Sequence, residues 1–319
     1  MIPFSTIRRI AIFRRNGFGD VLCTIPLALR CKELMPQAQI SLFIEKNTFC
    51  LAPYLQGPDE IAEIPSDQNK YIGLAKLVWQ RRKESFDLAI SARTNSMKLM
   101  NMALYALRAS YRAAYTKGNW HDRLINCPRL HVDQTSIHQA LQAIHLIDPE
   151  MTELPKRLFP ALESVEGDRL FPEKTLLISA SNNRAGSTLS PERIAELLNT
   201  LAAEMPFAVA ISCLSQDLGK AKKMASSLHM KCKIFISNQF SQFLTLLQSA
   251  DAIFVGDGGI VHLSSALRKP ALFLFGGTKV SQWGPMNPLA STLFSPGHVM
   301  EIPPSEILEK LRCLIREIR

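Results

Sequence analysis

Two stretches of this chain set a carboxylate among glycines where an apolar run gives way to a helical one. They are FRRNGFGDVL at 13–22 and FVGDGGIVHLSSALRKP at 254–270. In the second, Asp257 closes the apolar run, Gly258 and Gly259 follow, and His262 falls one turn into the helix. Glycines there let the backbone turn sharply and let a ligand approach closely. The first free N–H groups of the helix point into the same space and favour an anion. Further on, FGGTKVSQWGP at 275–285 places Gly276, Gly277, Thr278 and Lys279 at the end of another apolar run. Backbone amides and a threonine hydroxyl can hold a diphosphate without a metal ion. In the first stretch, Asp20 opens a helix just behind Gly17 and Gly19. A carboxylate there gains about 0.3–1 kcal/mol from the helix dipole. Left approachable by the two glycines, it can equally serve as a general base. The plainer alternatives are a buried or capping helix histidine for His262 and a turn-forming side chain for Asp257.

Other chemistries find no footing. The third glycine of the dinucleotide fingerprint is missing, so NAD is not expected. There is no G-x-S-x-G elbow, no H-E-x-x-H and no Walker loop. His121-Asp122, His131 and His138 follow no recognised ligand spacing and read as surface or helix-end histidines, and no metal is expected. Seven cysteines are scattered without a C-x-x-C pair, which fits buried thiols in a reducing cytoplasm.

The elements that must position these residues alternate along 319 positions of ordinary globular composition, 47% hydrophobic and 20% charged. Strands are expected at 7–13, 39–45, 60–64, 86–91 and 111–116, with helices at 20–34 (Pro26 inside), about 70–83, 96–109 and 138–147. The Met-rich helix MKLMNMAL at 97–104 is read as core packing. The segment 148–174, with its prolines and charges, is the linker candidate. The pattern then restarts: strands at 175–181, 207–214, 233–237, 252–257 and 271–276, and helices at 191–205, 217–228, 241–250, 260–268 and 305–319. Pro191 behind Ser190 is a good helix start. Such alternation means α/β, with mostly parallel sheets carrying helices on both faces. The expected architecture is two Rossmann-like domains, 1–160 and 161–319, facing each other across a cleft. Ligands in such sheets sit at strand-to-helix turns, here 14–20, 180–190, 214–218 and 255–262 with 275–285.

The net charge of +9 (37 basic, 28 acidic residues) gathers at Arg8-Arg9, Arg14-Arg15, Arg81-Arg82-Lys83 and Lys220-Lys222-Lys223. It suits an anionic partner such as phosphate-rich lipid headgroups. The clusters are not interleaved with aromatic residues, so nucleic acid is not the expected partner. No run reaches the ~18 apolar residues of a membrane span, and the N-terminus reads as a first strand, not an export signal.

FRRNGFGDVLCTIPLALRCKELMPQAQISLFIEKN, together with VGDGGIVHLSSALRKPALFLFGGTKVSQWGP, is similar to the heptosyltransferases of glycosyltransferase family 9, which build the lipopolysaccharide inner core. The family's opening pattern is matched by Gly19-Asp20-Val21 and Pro26. Its second is matched by Asp257, Gly259, His262, Leu263, Ala266, Leu267, Pro270, Phe275, Gly276, Thr278 and Trp283-Gly284-Pro285. FDLAIS (86–91) and the helix from His138 also fall where the family has counterparts, so the likeness spans the chain. The resemblance implies a GT-B fold with acceptor on the N-terminal domain and nucleotide-sugar on the C-terminal one. It implies an inverting, metal-independent transfer from ADP-heptose to the anionic Kdo or heptose region of a lipid A core, with no separate cofactor. Asp20 would be the catalytic base; Asp257, Gly258, Gly259 and His262 would surround the donor's sugar and phosphates. Ser181 and Asn182 would bond phosphate, Asp217 would reach the ribose, and the stretch at Asn238 would lie against adenine. Such a protein is expected to be cytoplasmic, monomeric and in peripheral contact with the inner membrane.

The sequence departs from the family pattern in the phosphate clamp. Thr188 stands at the usual lysine and Ser190 at the usual tryptophan; Arg184 lies four residues earlier and keeps the charge but not the geometry. Lys279 replaces an aspartate, and Gly258 a polar residue. Three readings follow: a heptosyltransferase with a rearranged clamp, a related transferase with another donor or acceptor, and a non-catalytic paralogue that binds nucleotide or core oligosaccharide. Retention of Asp20 speaks against the last.

Overall fold

Apolar runs rich in Ile, Val, Leu, Phe and Ala become parallel strands that are buried on both faces, as helices cover each side of their sheets. In the computed structural model, which describes residues 2–65, 70–130, 136–164 and 170–318, two sheets of six strands form. The chain divides into two compact units, Met1–Pro160 and Ala161–Arg319. The first holds β1 (Arg9–Arg14), β2 (Gln39–Glu45), β3 (Glu60–Ile64), β4 (Leu88–Ser91), β5 (Tyr111–Thr116) and β6 (Cys127–Leu130). Its helices are α1 (Phe18–Leu22), α2 (Ile25–Leu34), α3 (Lys70–Arg81), α4 (Lys98–Ala106) and α5 (Gln139–Ile144). The second holds β7 (Thr175–Ser179), β8 (Ala208–Cys213), β9 (Cys232–Ile236), β10 (Ala252–Gly256), β11 (Ala271–Gly276) and β12 (Ala290–Ser295). Its helices are α6 (Pro191–Ala202), α7 (Leu218–Ser226), α8 (Phe240–Ser249), α9 (Gly259–Ala266), α10 (Val280–Trp283) and α11 (Pro304–Glu317).

Strand order is β3-β2-β1-β4-β5-β6 in one sheet and β12-β11-β10-β7-β8-β9 in the other. All pairs are parallel. Read outward from the first strand, the two orders are the same doubly wound arrangement. On one side of the first sheet, Phe13 and Phe43 stack with ring centroids 4.7 Å apart. Leu74, Leu77 and Val78 of α3 and Met100, Ala103 and Leu104 of α4 pack over them. In the second unit, Ile307, Leu311, Leu314 and Ile315 of α11 pack with α6 and the sheet.

Several sequence expectations change. The single helix over 20–34 is two, α1 and α2, because proline has no N–H to donate and its ring clashes one turn back. Pro26 therefore falls in the first turn of α2, where it is tolerated. Neither β6, β12 nor α10 was expected; both strands are edges, and CPRL and ASTLFS carry too little apolar signal to stand out. The Met-rich helix is only half core, with Met100 buried and Met102 exposed. Within 148–174, Leu158, Leu162 and Phe171 are buried anchors, so the described part of this linker is tied down; residues 165–169 lie outside the described residues. The basic clusters are partly consumed internally: Arg14 is buried, Arg15 pairs with Glu45, and Arg81 pairs with Glu60 and Glu84.

His121-Asp122 is not a surface pair. Both residues are buried. Asp122 accepts from Ser96 Oγ, from Asn101 Nδ2 (2.9 Å) and from the N–H groups of Lys117 (2.8 Å) and Asn119 (2.9 Å). Burial pushes its carboxyl up, but the hydrogen bonds from Ser96, Lys117 and Asn119 outweigh this and hold it below its ordinary value. Its stabilising contribution is thus complete above that ordinary value and is lost as pH falls through the lower folded one. Asp122→Asn turns one acceptor into a donor facing donors, so urea unfolding should show a loss of about 2–3 kcal/mol. His138, by contrast, does cap a helix, accepting from Ala140 N–H at 3.2 Å; His131 lies outside the described residues.

Candidate functional site

In a doubly wound sheet, the connections after the two central strands leave to opposite faces and open a crevice beyond their carboxyl ends. Those strands are β1 and β4 in the first unit, β7 and β10 in the second. Asp20 follows β1, the 180–190 loop follows β7, and Asp257 follows β10. Strand order thus selects from the candidate turns the ones that lie at switch points.

In the first unit, β1 ends on Arg14, which is 3% exposed. Its terminal nitrogens donate to Asp20 Oδ1 and to the Ala92 carbonyl. Its Nε has no hydrogen-bond partner among the described residues. The other carboxylate oxygen, Asp20 Oδ2, accepts from Gly17 N–H at 3.2 Å, the N-terminal bond of a short helix. Asp20 is therefore clamped at both oxygens while remaining partly exposed. The sharp turn ahead of it is made by Asn16 (φ 92°), not by Gly17 or Gly19, neither of which has a positive φ. Glu45 holds that turn, accepting from Asn16 N–H (2.9 Å) and Arg15 Nε (2.6 Å). Arg93, just after β4, reaches Asn16 Oδ1 at 3.4 Å. Burial, then the charge of Arg14, pulls the Arg93 guanidinium below its usual range, against the favourable pull of Asp20. Three arginines, Arg14, Arg15 and Arg93, against the two carboxylates of Asp20 and Glu45 leave this turn with an excess of positive charge, suited to an anionic ligand. Arg93 and Glu45 were not singled out in the sequence, and Arg14 was read only as part of a basic cluster; its position as the last residue of β1 was the available signal.

In the second unit, Arg184 and Asp257 come together, joined by Thr278. Arg184 Nη1 donates to Asp257 Oδ2 and to Thr278 Oγ1 (2.9 Å). The Asp257 side chain is 2% exposed and that of Arg184 46%. The carboxylate is thus a buried anchor, and the arginine is the face it presents. Asn182 braces the same corner, donating to the Asp257 carbonyl (3.2 Å) and accepting from Arg184 N–H (2.9 Å). Gly256 and Gly276 serve a different purpose from the one expected. A Cβ on Gly256 would meet the Ser187 carbonyl at 1.7 Å, and one on Gly276 the Gly186 carbonyl at 1.8 Å. These glycines let the 185–187 turn cross directly over the ends of β10 and β11, which brings Arg184 to Asp257. Gly258 (φ 167°) is extended backbone that any residue adopts, and only an Asn182 contact at 3.8 Å faces its open side. Gly259 begins α9.

His262 is 3% exposed, with its ring edge-to-face on Trp283 at 5.9 Å. Lys279 is exposed and makes no ion pair among the described residues. The remaining candidates form an adjoining cluster. Ser181 Oγ donates to Asp217 Oδ2 at 2.7 Å, and Lys220 Nζ donates to Asp217 Oδ1 at 2.9 Å. Lys220 first, then Ser181, holds the Asp217 carboxyl below its usual range. Asn238 exchanges hydrogen bonds with Ser215 (2.7 and 2.9 Å) across the ends of β8 and β9. Among the described residues no three His, Cys, Asp or Glu side chains come together as metal ligands.

The architecture recurs in solved structures. E. coli ADP-heptose LPS heptosyltransferase II superposes with a TM-score of 0.79 at 18% identity, over 97% of this chain and 99% of that one. E. coli heptosyltransferase WaaC with ADP does so at 0.74 and 14% identity, over 96% and 99%. These likenesses make the fold GT-B. A Haemophilus influenzae protein provisionally named a glycosyltransferase is 23% identical over 308 residues, 88% of this chain and 87% of its own length. The sequence model of the family described as Glycosyltransferase family 9 (heptosyltransferase) matches residues 128–307, which hold the Arg184, Asp257 and Thr278 corner and more than half of the chain. The chain belongs to glycosyltransferase family 9 and is a glycosyltransferase of heptosyltransferase-like structure.

Proposed function

We propose that this transferase moves heptose from ADP-heptose to the Kdo or heptose region of a lipopolysaccharide inner core, with inversion and without a metal ion, on the cytoplasmic side. The observation that carries this reading is the guanidinium of Arg184, held by a buried carboxylate and a threonine at the switch point of the second unit. A leaving nucleoside diphosphate gains negative charge as its bond to the anomeric carbon breaks. A fixed cation and free helix N–H groups stabilise that charge where other transferases employ a metal. In this reading Asp257 orients Arg184 and does not itself touch the donor. Thr278, Asn182, Gly258 and Gly259 line the diphosphate, His262 backs the site, and Lys279 contributes from its exposed edge. Asp217 and Ser181 take the ribose, and Asn238 the adenine. Asp20 takes the proton of the acceptor hydroxyl, because a neutral sugar hydroxyl is a poor nucleophile. The names of the E. coli structures, one an ADP-heptose LPS enzyme and one bound to ADP, support the choice of donor.

A thermal shift panel with ADP, UDP, GDP and CMP tests the donor. At about a hundred times its Kd, ADP should stabilise by ~2.7 kcal/mol, a rise of about 5–10 °C for a unit of this size. A larger response to UDP, GDP or CMP would replace ADP-heptose with another nucleotide-sugar. No response to any of the four would remove the donor site altogether.

A further inference from the structure

The exposed large hydrophobic side chains described in the first unit gather on three neighbouring elements: Tyr71, Ile72 and Trp79 on α3, Met102 and Tyr105 on α4, and Trp120 on the 120–124 turn. Both helices bury their inner faces on the same side of the sheet, so their outer faces look the same way. The turn joins them through α4, where Asn101 Nδ2 lies 3.0 Å from His121 Nδ1. Ile72 is 68% exposed, Trp79 63% and Trp120 59%. Scattered single residues of this kind are ordinary; a contiguous group marks a contact surface.

Its charge says what it contacts. Lys76, Lys83, Lys98, Arg108 and Arg123 are exposed on or beside the same elements. Arg82 lies 3.2 Å from the centroid of the Trp79 ring, and Lys98 Nζ 5.2 Å from that of Trp120. The carboxylates on the described residues of these elements are spoken for: Glu84 pairs with Arg81, and Asp122 is buried in its own hydrogen bonds. Tryptophan and tyrosine settle at the headgroup level of a bilayer. Lysine and arginine beside them lay their stems along apolar surface and reach anionic phosphates.

We infer that this face of the first unit docks on an anionic phospholipid bilayer, with Ile72, Trp79 and Trp120 entering the headgroup layer and the flanking cations meeting lipid phosphate. The inference does not depend on the choice of donor or acceptor, and its test contains neither.

The full chain is mixed with vesicles of phosphatidylcholine alone or with added phosphatidylglycerol and separated by flotation, while tryptophan emission is followed. Co-flotation is expected only with phosphatidylglycerol, with a blue shift on binding and release at high salt. Lys76→Glu with Lys83→Glu, and separately Trp79→Ser with Trp120→Ser, should each weaken binding at least about tenfold. Exposed positions tolerate such changes without unfolding, which far-UV circular dichroism checks; the emission shift of the unaltered protein needs no variant. Failure to float with either vesicle, equal binding to both, or variants that bind like the parent would overturn the inference.

Discussion

Asp20→Asn is expected to lower kcat by about 10²–10⁴-fold, the range for a lost general base, with nucleotide affinity unchanged. The amide keeps the size of the side chain and can still accept from Gly17 N–H, but it cannot take a proton. The nucleotide-binding candidates belong to the other unit and share no hydrogen bond with Asp20 among the described residues. The substitution also leaves Arg14 buried without its counter-charge, so a fall in stability of about 1–3 kcal/mol is expected beside the kinetic loss. Asp20→Glu separates the two effects. It preserves the charge and should preserve most of the stability, yet moves the carboxylate by a methylene and should still lose about a hundredfold in rate. A base role is contradicted if nucleotide affinity drops in step with the rate, or if Asp20→Asn turns over normally.

Arg184→Ala should weaken ADP binding by about 1.5–3 kcal/mol, the range for a hydrogen bond to a charged group. It should also destabilise the second unit by more than an exposed ion pair would, since Asp257 stays buried with its charge unmatched. Arg184→Lys retains the cation but has no planar fork to span Asp257 and Thr278, so it should recover only part of the affinity. Lys279→Ala should cost less than Arg184→Ala, because Lys279 is exposed and unpaired among the described residues. Isothermal titration with ADP measures all three. Equal losses at Arg184 and Lys279 would mean a mobile pair of cations, and no loss at Arg184 would remove it from the site.

The sequence by itself determined what local pattern can determine. Parallel strands buried on both faces read as continuous apolar runs, so QISLFIE, YRAAYT and ALFLFG were legible to the residue. Asp257 was visible because it closes such a run beside glycines, and Asp20 because it opens a helix behind two of them. Of the four edge strands, β3 and β9 were legible but β6 and β12 escaped, since CPRL and ASTLFS lack that contrast. Tertiary structure alone decided strand order, and with it which turns lie at a switch point. It also decided which charges meet: Arg184 reaches Asp257 across 73 positions, and Ser187 reaches Gly276 across 89. It made Asn16 the turn-former, put Arg14 under Asp20, and hid His121 in a polar core. The physical reason is common to all of these. Periodicity reports how a residue relates to its own strand or helix, whereas pairing and burial depend on which distant segment packs across it.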